Sequence, residues 1–390
     1  MGNRARRLVK RTKSEHMVQM GFSFIHTADW QIGKPFGNFQ DETATLLRAA
    51  RLDAVDRLAT AAKAAGALHI LVAGDVFDHA RPPPKTVGQL MARMAAQRDL
   101  VWHLLPGNHD PAQPGSLWDD LPRTKPDNVH IHLAPEPVEI ETGVILLSAP
   151  LRARAMSTDP TAYMDHATSA TGAIRIGLAH GSVRGFNSEG EPVIPIDIER
   201  ARKARLDYLA LGDWHGLQQI NSRTWYSGTP EPDGYKDNAP GHALIVTIAA
   251  TGAAPDVRPI ATGHYRWTRQ DLFIDKIADL DRFSAHLSEE AIPRAQMLLK
   301  LIVRGRVPLA EHAAIGERIV ALAHGLADLD ADTSSLVTTT NDDDLAALGT
   351  GSIATIAQNL AAMTASNDPA LQKPAEQALR TLARLAEQTP

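Results

Sequence analysis

The stretch of sequence that decides the fold is HILVAGDVFD at residues 69–78. The largely apolar run His69–Ala73 predicts a short buried strand, and Gly74 and Asp75 follow directly at its end. The same order, an apolar strand and then a polar block, returns several times within the first 215 residues. This is the pattern of an α/β sheet whose functional side chains lie at the carboxyl ends of its strands.

Helix-like segments separate these strands, so residues 22 to about 250 predict a layered α/β domain. One helix is expected from Glu42 to about Ala65, and a second opens at Pro82-Pro83-Pro84 and continues to about Arg98. The other predicted strands are Phe22–His26, Val101–Leu105, Val144–Ser148, Ile174–Ala179, Tyr208–Leu211, Trp225-Tyr226, Ala243–Ile248 and Val257–Ile260. A further strand, Leu298–Val303, is expected in a small separate module that begins near residue 270.

Five polar blocks follow the strands, and each of them offers oxygen or imidazole donors. They are Asp29-Trp30-Gln31, Gly74-Asp75-Val76-Phe77-Asp78, Gly107-Asn108-His109-Asp110, His180-Gly181 and Gly212-Asp213-Trp214-His215. Each block alone has an ordinary structural explanation as a turn, a helix cap or a buried histidine. Their joint occurrence, in order and at strand ends, indicates a centre that binds two divalent cations and hydrolyses a phosphoester.

The expected ligands are divided between two ions that share one carboxylate. We expect Asp75 to bridge the ions, with a water between them as the in-line nucleophile for phosphorus. The first ion would be completed by Asp29 and His215, and the second by Asn108 and His180.

The histidine next to Asn108 has a different expected task. We expect His109 to point away from the metals, where it can stabilise charge in the transition state or protonate the departing oxygen. Asp78 either positions His109 or caps the helix that follows, and the sequence does not separate these two interpretations.

Composition limits the other possibilities. The chain has 390 residues, 44% hydrophobic and 22% charged, as in an ordinary globular protein with a large and a smaller domain. It has no cysteine, which excludes disulfides, thiolate metal sites and cysteine nucleophiles. The available donors favour Mn, Mg, Fe or a histidine-rich Zn site. No apolar run approaches the ~18 residues of a membrane span.

Residues 1–20 are rich in Lys and Arg, and we interpret them as a basic, disordered arm. The arm either contacts nucleic acid or is an inert leader or a misplaced start. We reject a secretory signal, because cleavage would leave no room before the first strand, and we expect a cytoplasmic protein. The net charge of −5 gives no global attraction to a polyanion, so nucleic-acid binding would depend on local basic patches and metals.

The polar blocks resemble those of the calcineurin-like metallophosphoesterase superfamily, which run D-x-H, G-D-x-x-D, G-N-H-D/E, H and G-H-x-H. Within that superfamily the chain is similar to nuclease subunits of the bacterial SbcCD type. The similarity covers about residues 22–235. It depends on Phe24-Ile25-His26-Thr27-Ala28-Asp29-Trp30, on the block from Val72 to Asp78, and on Tyr226-Ser227-Gly228-Thr229-Pro230.

The resemblance implies a four-layer sandwich of two mixed β-sheets flanked by helices, with a small C-terminal α/β capping domain. The expected divisions are the arm at 1–20, the phosphoesterase domain at 21–268, the capping domain at 269–350 and a helical segment at 351–390. The implied activity is Mn-dependent exonuclease and endonuclease cleavage of DNA in DNA repair. The implied partners are DNA and an SMC-like coiled-coil ATPase, with a homodimer as a further candidate assembly; the terminal helices either dock on the coiled coil or belong to the cap.

Two residues depart from the family pattern. Gln31 stands where the D-x-H block has a histidine, and Asp213 stands where the G-H-x-H block has one. We expect both to offer an oxygen to the metals, although Gln31 is the weaker ligand and either ligates directly or supports the ligands. A third carboxylate at Asp213 would neutralise the two-metal centre, so we expect a slower or more metal-selective enzyme.

Alternative functions remain open. A small-substrate phosphoesterase, such as a cyclic-nucleotide phosphodiesterase or a protein phosphatase, would use the same centre. A catalytically weakened scaffold that binds DNA ends or a partner would keep the fold without turnover. Basic side chains that could contact DNA phosphates are Arg81, Lys85, Arg152 and Arg184, although ordinary surface charge is the default interpretation of each.

Overall fold

The computed structural model describes residues 21–183, 194–339, 345, 348, 351–364, 366 and 368–387. The predicted basic arm at residues 1–20 and the predicted DNA contact Arg184 lie outside the described residues. No helix within the described ranges is both long and apolar enough to cross a membrane.

The described strands are numbered in chain order. They are β1 Phe22–Thr27, β2 His69–Val72, β3 Val101–Leu104, β4 Val129–Ile131, β5 Pro137–Glu141, β6 Val144–Ala149, β7 Ile174–His180, β8 Ser182–Val183, β9 Pro195–Ile196, β10 Tyr208–Gly212, β11 Gln218–Asn221, β12 Thr224–Tyr226, β13 His242–Ile248, β14 Asp256–Ala261, β15 Arg266–Ile274, β16 Met297–Pro308 and β17 Asp328–Thr339.

The helices are numbered in the same way. They are α1 Asp41–Ala65, α2 Pro84–Ala96, α3 Leu121–Thr124, α4 Arg200–Lys203, α5 Ile277–Glu289, α6 Leu309–Ala323, α7 Ser352–Thr364 and α8 Pro369–Glu387. Short 3-10 turns occupy Leu117–Asp119, Ala162–Asp165 and Arg294–Gln296.

Two six-stranded mixed sheets form the main body of the protein. The first has the order β14-β13-β1-β2-β3-β4, and the second has the order β11-β12-β10-β7-β6-β5. Strands β1 to β4 are parallel to one another, as are β12, β10, β7 and β6. In each sheet the parallel strands end at one edge, and the polar blocks begin there.

Apolar side chains hold the two sheets face to face. Phe24 and Leu71 of the first sheet pack in one buried cluster with Leu146 and Ile176 of the second. Helices α1 and α2 cover the outer face of the first sheet, and α4 with its neighbouring segments covers the outer face of the second. The four-layer arrangement of two mixed sheets flanked by helices, implied by the resemblance, is confirmed.

A third sheet follows the sandwich. Its three parallel strands have the order β15-β16-β17, and α5 and α6 pack on it around a core of their own. Helices α7 and α8 pack against each other and against α6 through Leu309, Ala357 and Leu379. The domain boundaries drawn from the sequence remain a prediction.

Several strands were not expected from the sequence, and β5 and β16 show why. Strand β5 was not expected, because its residues Pro137–Glu141 alternate between half-buried and exposed and carry two glutamates at an edge of the sheet. Strand β16 is longer than the apolar run Leu298–Val303, because its second half alternates between buried and exposed side chains and remains paired with β17. Runs of apolar residues therefore predicted the central strands of a sheet better than its edge strands or the alternating ends of long strands.

Candidate metal centre

The first two polar blocks are held together by a continuation of the strand pairing. Beyond β1 and β2, the backbone N–H of Asp29 donates to the carbonyl of Gly74 at 3.1 Å, and that of Gln31 donates to the carbonyl of Asp75 at 2.8 Å. Parallel pairing thus continues past the sheet edge and sets the Asp29 and Asp75 side chains beside each other. Both carboxylates are buried.

Backbone strain concentrates in the same loops. Asp29, Gln31, Asp75 and Asp213 all have positive φ angles, of 55°, 41°, 52° and 104°. A non-glycine residue in this conformation costs on the order of 1–3 kcal/mol and persists only where the surrounding structure enforces it. Four such residues in three neighbouring loops are typical of a functional site rather than of ordinary turns.

Two glycines allow the loops to approach closely. A Cβ atom on Gly107 would lie 2.1 Å from Oδ1 of Asp75, and one on Gly74 would lie 2.2 Å from Nδ1 of His180. Any side chain at either position would therefore displace an expected ligand. The glycines in these two blocks serve close packing of the centre, beyond their part in turning the chain.

Four side chains converge around the imidazole of His180. Its Nε2 atom lies 3.1 Å from Oδ1 of Asn108, 3.5 Å from Oδ1 of Asp75 and 3.8 Å from Oδ1 of Asp213. The ligand atoms of Asp29, Asp75 and His180 also lie within 4.8 Å of one another. Donor atoms at these separations suit one divalent cation bound by carboxylates, an amide and an imidazole.

The electrostatics of this pocket agree with a cation site. Burial raises the pKa of Asp29 to about 6, although the nearby His180 and His215 act in the opposite direction. Burial alone would lower the pKa of His180, but Asp75, Asp29 and Asp213 outweigh it and raise that pKa to about 9. The concentration of carboxylates therefore favours positive charge at the point where their oxygens face His180.

The expected ligands of the other ion are arranged differently. Gln31 directs its amide nitrogen to Nε2 of His215, at 3.4 Å, and its Oε1 accepts from Nζ of Lys34 at 3.1 Å. The opposite ring nitrogen of His215, Nδ1, lies 3.2 Å from a carboxylate oxygen of Asp233. That carboxylate also accepts from Nζ of Lys34, at 2.5 Å. Burial acts to raise the pKa of Asp233, but His215 and Lys34 together hold it well below its usual value.

His109 lies at the rim of the pocket. Its backbone N–H donates to Oδ1 of Asp75 at 2.9 Å, and its partly exposed ring directs Nε2 towards Oδ2 of the same carboxylate, 4.0 Å away. Nδ1 lies 3.1 Å from the carbonyl of Asp78, which leaves Nε2 to face the pocket. The contact of Asp78 with His109 is thus a backbone contact, with its carboxylate 4.0 Å away. Helix capping by Asp78 is not observed, since α2 begins only at Pro84.

A buried arginine supports the Asp29 loop. Arg51 on α1 donates to the carbonyls of Trp30 at 2.8 Å, Asp29 at 2.9 Å and Glu231 at 3.0 Å. The hydroxyl of Thr229 donates to the same Asp29 carbonyl at 2.8 Å. These bonds hold the strained Asp29 peptide in place from the side opposite the pocket.

Sequence reasoning missed several residues that complete the centre. Asp110 was quoted in its block but given no task; it is fully buried and accepts the N–H groups of Phe77 and Gly107, at 2.9 and 2.7 Å. Burial and the charge of Asp75 raise its pKa well above the usual value. Ser182 donates to Asp213. Lys34 and Asp233 carry no local signal, because they meet only in the folded chain.

Three of the predicted DNA contacts fall within the described residues, and these three lie outside the pocket. Arg81 and Arg152 are exposed and donate to the carbonyls of Gly115 at 2.6 Å and Leu133 at 3.3 Å. Lys85 is exposed in the first turn of α2. The structure does not bring these side chains into the metal centre, and DNA contact by them remains a prediction.

Comparison with known proteins agrees with the geometry. Residues 22–182 match the model of the calcineurin-like phosphoesterase family. Over 270 residues the chain is 29% identical to the SbcD subunit of the SbcCD nuclease of Bacillus subtilis (strain 168), an alignment that covers 57% of this chain and 65% of that protein. The chain thus matches slightly less than two thirds of the length of this curated relative. The matched residues include the first four polar blocks, so this part of the sandwich is similar to calcineurin-like phosphoesterase domains.

Proposed function

We propose that this protein is a divalent-metal-dependent phosphodiesterase that cleaves DNA as the nuclease subunit of a DNA repair complex. The observation that carries the proposal is the convergence of Asp75, Asn108 and Asp213 on His180, with His109 at the rim. The similarity to a curated nuclease subunit supports DNA as the substrate. Two divalent ions, manganese first among the candidates, fit the oxygen-rich donor set.

The chain's own residues would divide the work of hydrolysis. When bound, the divalent ions supply positive charge that stabilises the phosphate and assists the attacking water. Asp75 and Asn108 would hold an ion in the pocket, and the N–H of His109 fixes the Asp75 carboxylate. The partly exposed His109 ring reaches towards the substrate side, where it can donate a proton to the departing oxygen.

We also propose that the protein works with a partner protein, an SMC-like coiled-coil ATPase, in the cytoplasm. The Bacillus subtilis relative is one subunit of a nuclease, which supports an assembly. Helices α7 and α8 leave the apolar side chains of Ile353, Ile356 and Leu385 exposed, about half of each. Exposed apolar groups of this kind on a helix pair are typical of a surface that another protein covers.

The direct test uses end-labelled linear duplex DNA and the purified chain, stripped of metal and then supplied with Mn²⁺. We expect degradation that chelation abolishes, and a loss of about 10²–10⁴-fold in rate for His109→Ala with metal binding retained. The matched control is His286→Ala, because His286 is an exposed histidine on α5, far along the chain from the centre.

The same preparation separates the alternatives. Turnover of a small phosphodiester such as bis(p-nitrophenyl) phosphate without any cleavage of DNA would contradict the nuclease proposal and support a small-substrate phosphoesterase. Failure to bind Mn²⁺ at all, in a folded protein, would support the scaffold alternative instead.

A further inference from the structure

The metal centre has two unlike halves. We call Asp75, Asn108, His180 and Asp213 the His180 half, and Asp29, Gln31 and His215, with Asp75 shared, the His215 half. In the His180 half three acceptor oxygens face one imidazole nitrogen at 3.1 to 3.8 Å. Oxygens from two carboxylates and an amide that converge in this way repel one another unless a positive charge lies among them. This half is preorganised for a cation.

In the His215 half, a positively charged side chain, Lys34, is already hydrogen-bonded to Gln31, one of the expected ligands. Lys34 donates to Oε1 of Gln31, the single atom of that side chain that could bind a metal. An ammonium group only donates hydrogen bonds, so it also fixes which way the amide faces. Gln31 consequently turns its nitrogen, which offers no lone pair, towards His215.

Lys34 is itself held firmly in this position. Its Nζ lies 2.5 Å from Oδ2 of Asp233, and Asp233 in turn contacts Nδ1 of His215. The Lys34 side chain is about one quarter exposed and that of Asp233 is one tenth exposed, so solvent screens the pair only in part. The ammonium therefore stays beside Gln31 as a fixed positive charge.

A second constraint acts on Asp29. Both of its carboxylate oxygens face the backbone N–H of Asp213, at 3.1 and 3.3 Å. Part of the acceptor capacity of this carboxylate is thus used within the protein. Of the donors in the His215 half, the shared Asp75 and the ring of His215 remain as the stronger ones.

We propose that the two halves bind divalent ions with unequal affinity, and that Lys34 together with Gln31 sets the difference. The His180 half fills first and tightly, while the His215 half binds an ion only weakly. Lys34 weakens the binding of the second ion in two ways. Its positive charge repels a further cation, and its ammonium group already donates a hydrogen bond to the oxygen of Gln31. This inference depends on the proposed metal-dependent function but concerns the loading of the centre rather than the reaction.

The test is a titration of the metal-free full chain with Mn²⁺ alone, without substrate, followed by calorimetry and electron paramagnetic resonance. We expect one tightly bound ion per chain with the spectrum of an isolated Mn²⁺, and a second ion bound at least ten-fold more weakly. Lys34→Met should strengthen the second site at least ten-fold, and Gln31→His should do so independently. Lys63→Met, at an exposed lysine of α1, should change nothing.

Binding of both ions with equal affinity in the unmodified chain would overturn the inference. It would also be overturned if neither Lys34→Met nor Gln31→His changed the affinity of the second site. These outcomes are distinguishable from failure of the proposed function. A chain that loads one ion tightly and cleaves no DNA contradicts only the nuclease proposal. A chain that cleaves DNA and binds two equal ions contradicts only the unequal loading.

Discussion

Gln31 shows how little a single letter of sequence says about a ligand. From the sequence, the amide in place of a histidine still offers an oxygen to a metal. In the folded chain Lys34 takes that oxygen, and the amide nitrogen faces His215 instead. The sequence could not reveal this, because the orientation of the amide is decided by a lysine whose own partner, Asp233, lies some two hundred residues away.

Asp213, the other departure from the family pattern, does reach the pocket. Its Oδ1 faces Nε2 of His180 at 3.8 Å, its Oδ2 accepts from Ser182, and its positive φ belongs to the strained set. A carboxylate at this position lowers the net positive charge of a metal-loaded centre and so weakens its hold on a phosphate.

Replacement of Asp213 by histidine tests this charge argument. We expect Asp213→His to raise the Mn²⁺-dependent rate several-fold, because the loaded centre gains one positive charge relative to the carboxylate. The measurement is the rate of phosphodiester cleavage at saturating Mn²⁺ beside the unmodified chain. An unchanged or lower rate, in a variant that still binds Mn²⁺, would contradict the charge argument for Asp213.

Arg51 marks the opposite limit of sequence reasoning. In the sequence it is one charged residue within a long helix, where a surface position is the default expectation. In the structure it is buried and donates to three main-chain carbonyls around the Asp29 loop. His180 and Asp75, by contrast, could be identified because each directly follows or ends an apolar strand.

Among the elements, the ends of the strands could be predicted from the sequence, but the pairing of strands that are distant in sequence could not. The order of strand, polar block and helix follows from runs of apolar residues, and it located the loops that carry Asp29, Asp75 and Asn108. The pairing of β7 with β10, which aligns His180 with Gly212, depends on contacts between distant parts of the chain. A local pattern cannot specify such a pairing.

A row of histidines crosses the first sheet away from the metal centre. His69, His103 and His132 are buried, and Nδ1 of His69 and of His103 each lies 3.0 Å from Nε2 of the next ring. The carboxylate of Glu141 lies 3.6 Å from the far nitrogen of His69, and the exposed His130 ring stacks on His103. The three rings can hydrogen-bond in series while all of them are neutral.

This row should make stability fall in mild acid. Burial, and after it the neighbouring histidines, lowers the pKa of His103 well below 6.5 and the pKa of His132 to about 4. Burial also lowers the pKa of His69, although the nearby Glu141 acts to raise it. The unfolded chain therefore binds more protons than the folded one. The contribution of these histidines to the free energy of unfolding is fully present above about pH 6.5 and declines as the pH falls towards 4. At roughly 1.4 kcal/mol per pKa unit, His132 alone corresponds to about 3 kcal/mol.

The measurement is the free energy of unfolding by urea between pH 7.5 and 5. We expect His132→Leu to lose less stability over this range than the unmodified chain, because it removes one buried group that must be charged. His286→Leu, at an exposed histidine, serves as the control and should follow the unmodified curve. Parallel curves for His132→Leu and the unmodified chain would contradict this explanation.

At the scale of the whole molecule, aromatic packing joins the third sheet to the sandwich. Trp267 on β15 stacks on Phe36 with centroids 6.4 Å apart and meets Phe39 and Tyr235 edge to face, at 5.4 and 5.0 Å. Glu231 reinforces the connection, since it accepts from Arg57 at 2.5 Å and from the backbone of Tyr265 at 2.9 Å. The loop that contains Glu231 also carries Asp233, so the joint adjoins the metal centre.

Removal of the Trp267 ring should therefore weaken the whole chain. We expect Trp267→Ala to lower the free energy of unfolding by about 2–4 kcal/mol, somewhat less than for a fully buried tryptophan. Thermal or urea denaturation measures the change. Phe273→Ala on the same strand is the matched control and should have almost no effect, because Phe273 is 67% exposed. Equal losses in the two variants would contradict the packing argument.

The most direct test of the proposed centre is anomalous diffraction from crystals of the full chain grown with Mn²⁺, collected at the manganese absorption edge. We predict that the strongest anomalous peak lies within direct binding distance, about 2.0–2.6 Å for a divalent cation, of donor atoms of Asp75, Asn108, His180 and Asp213. A strongest peak elsewhere on the protein, or these four side chains observed apart, would contradict it.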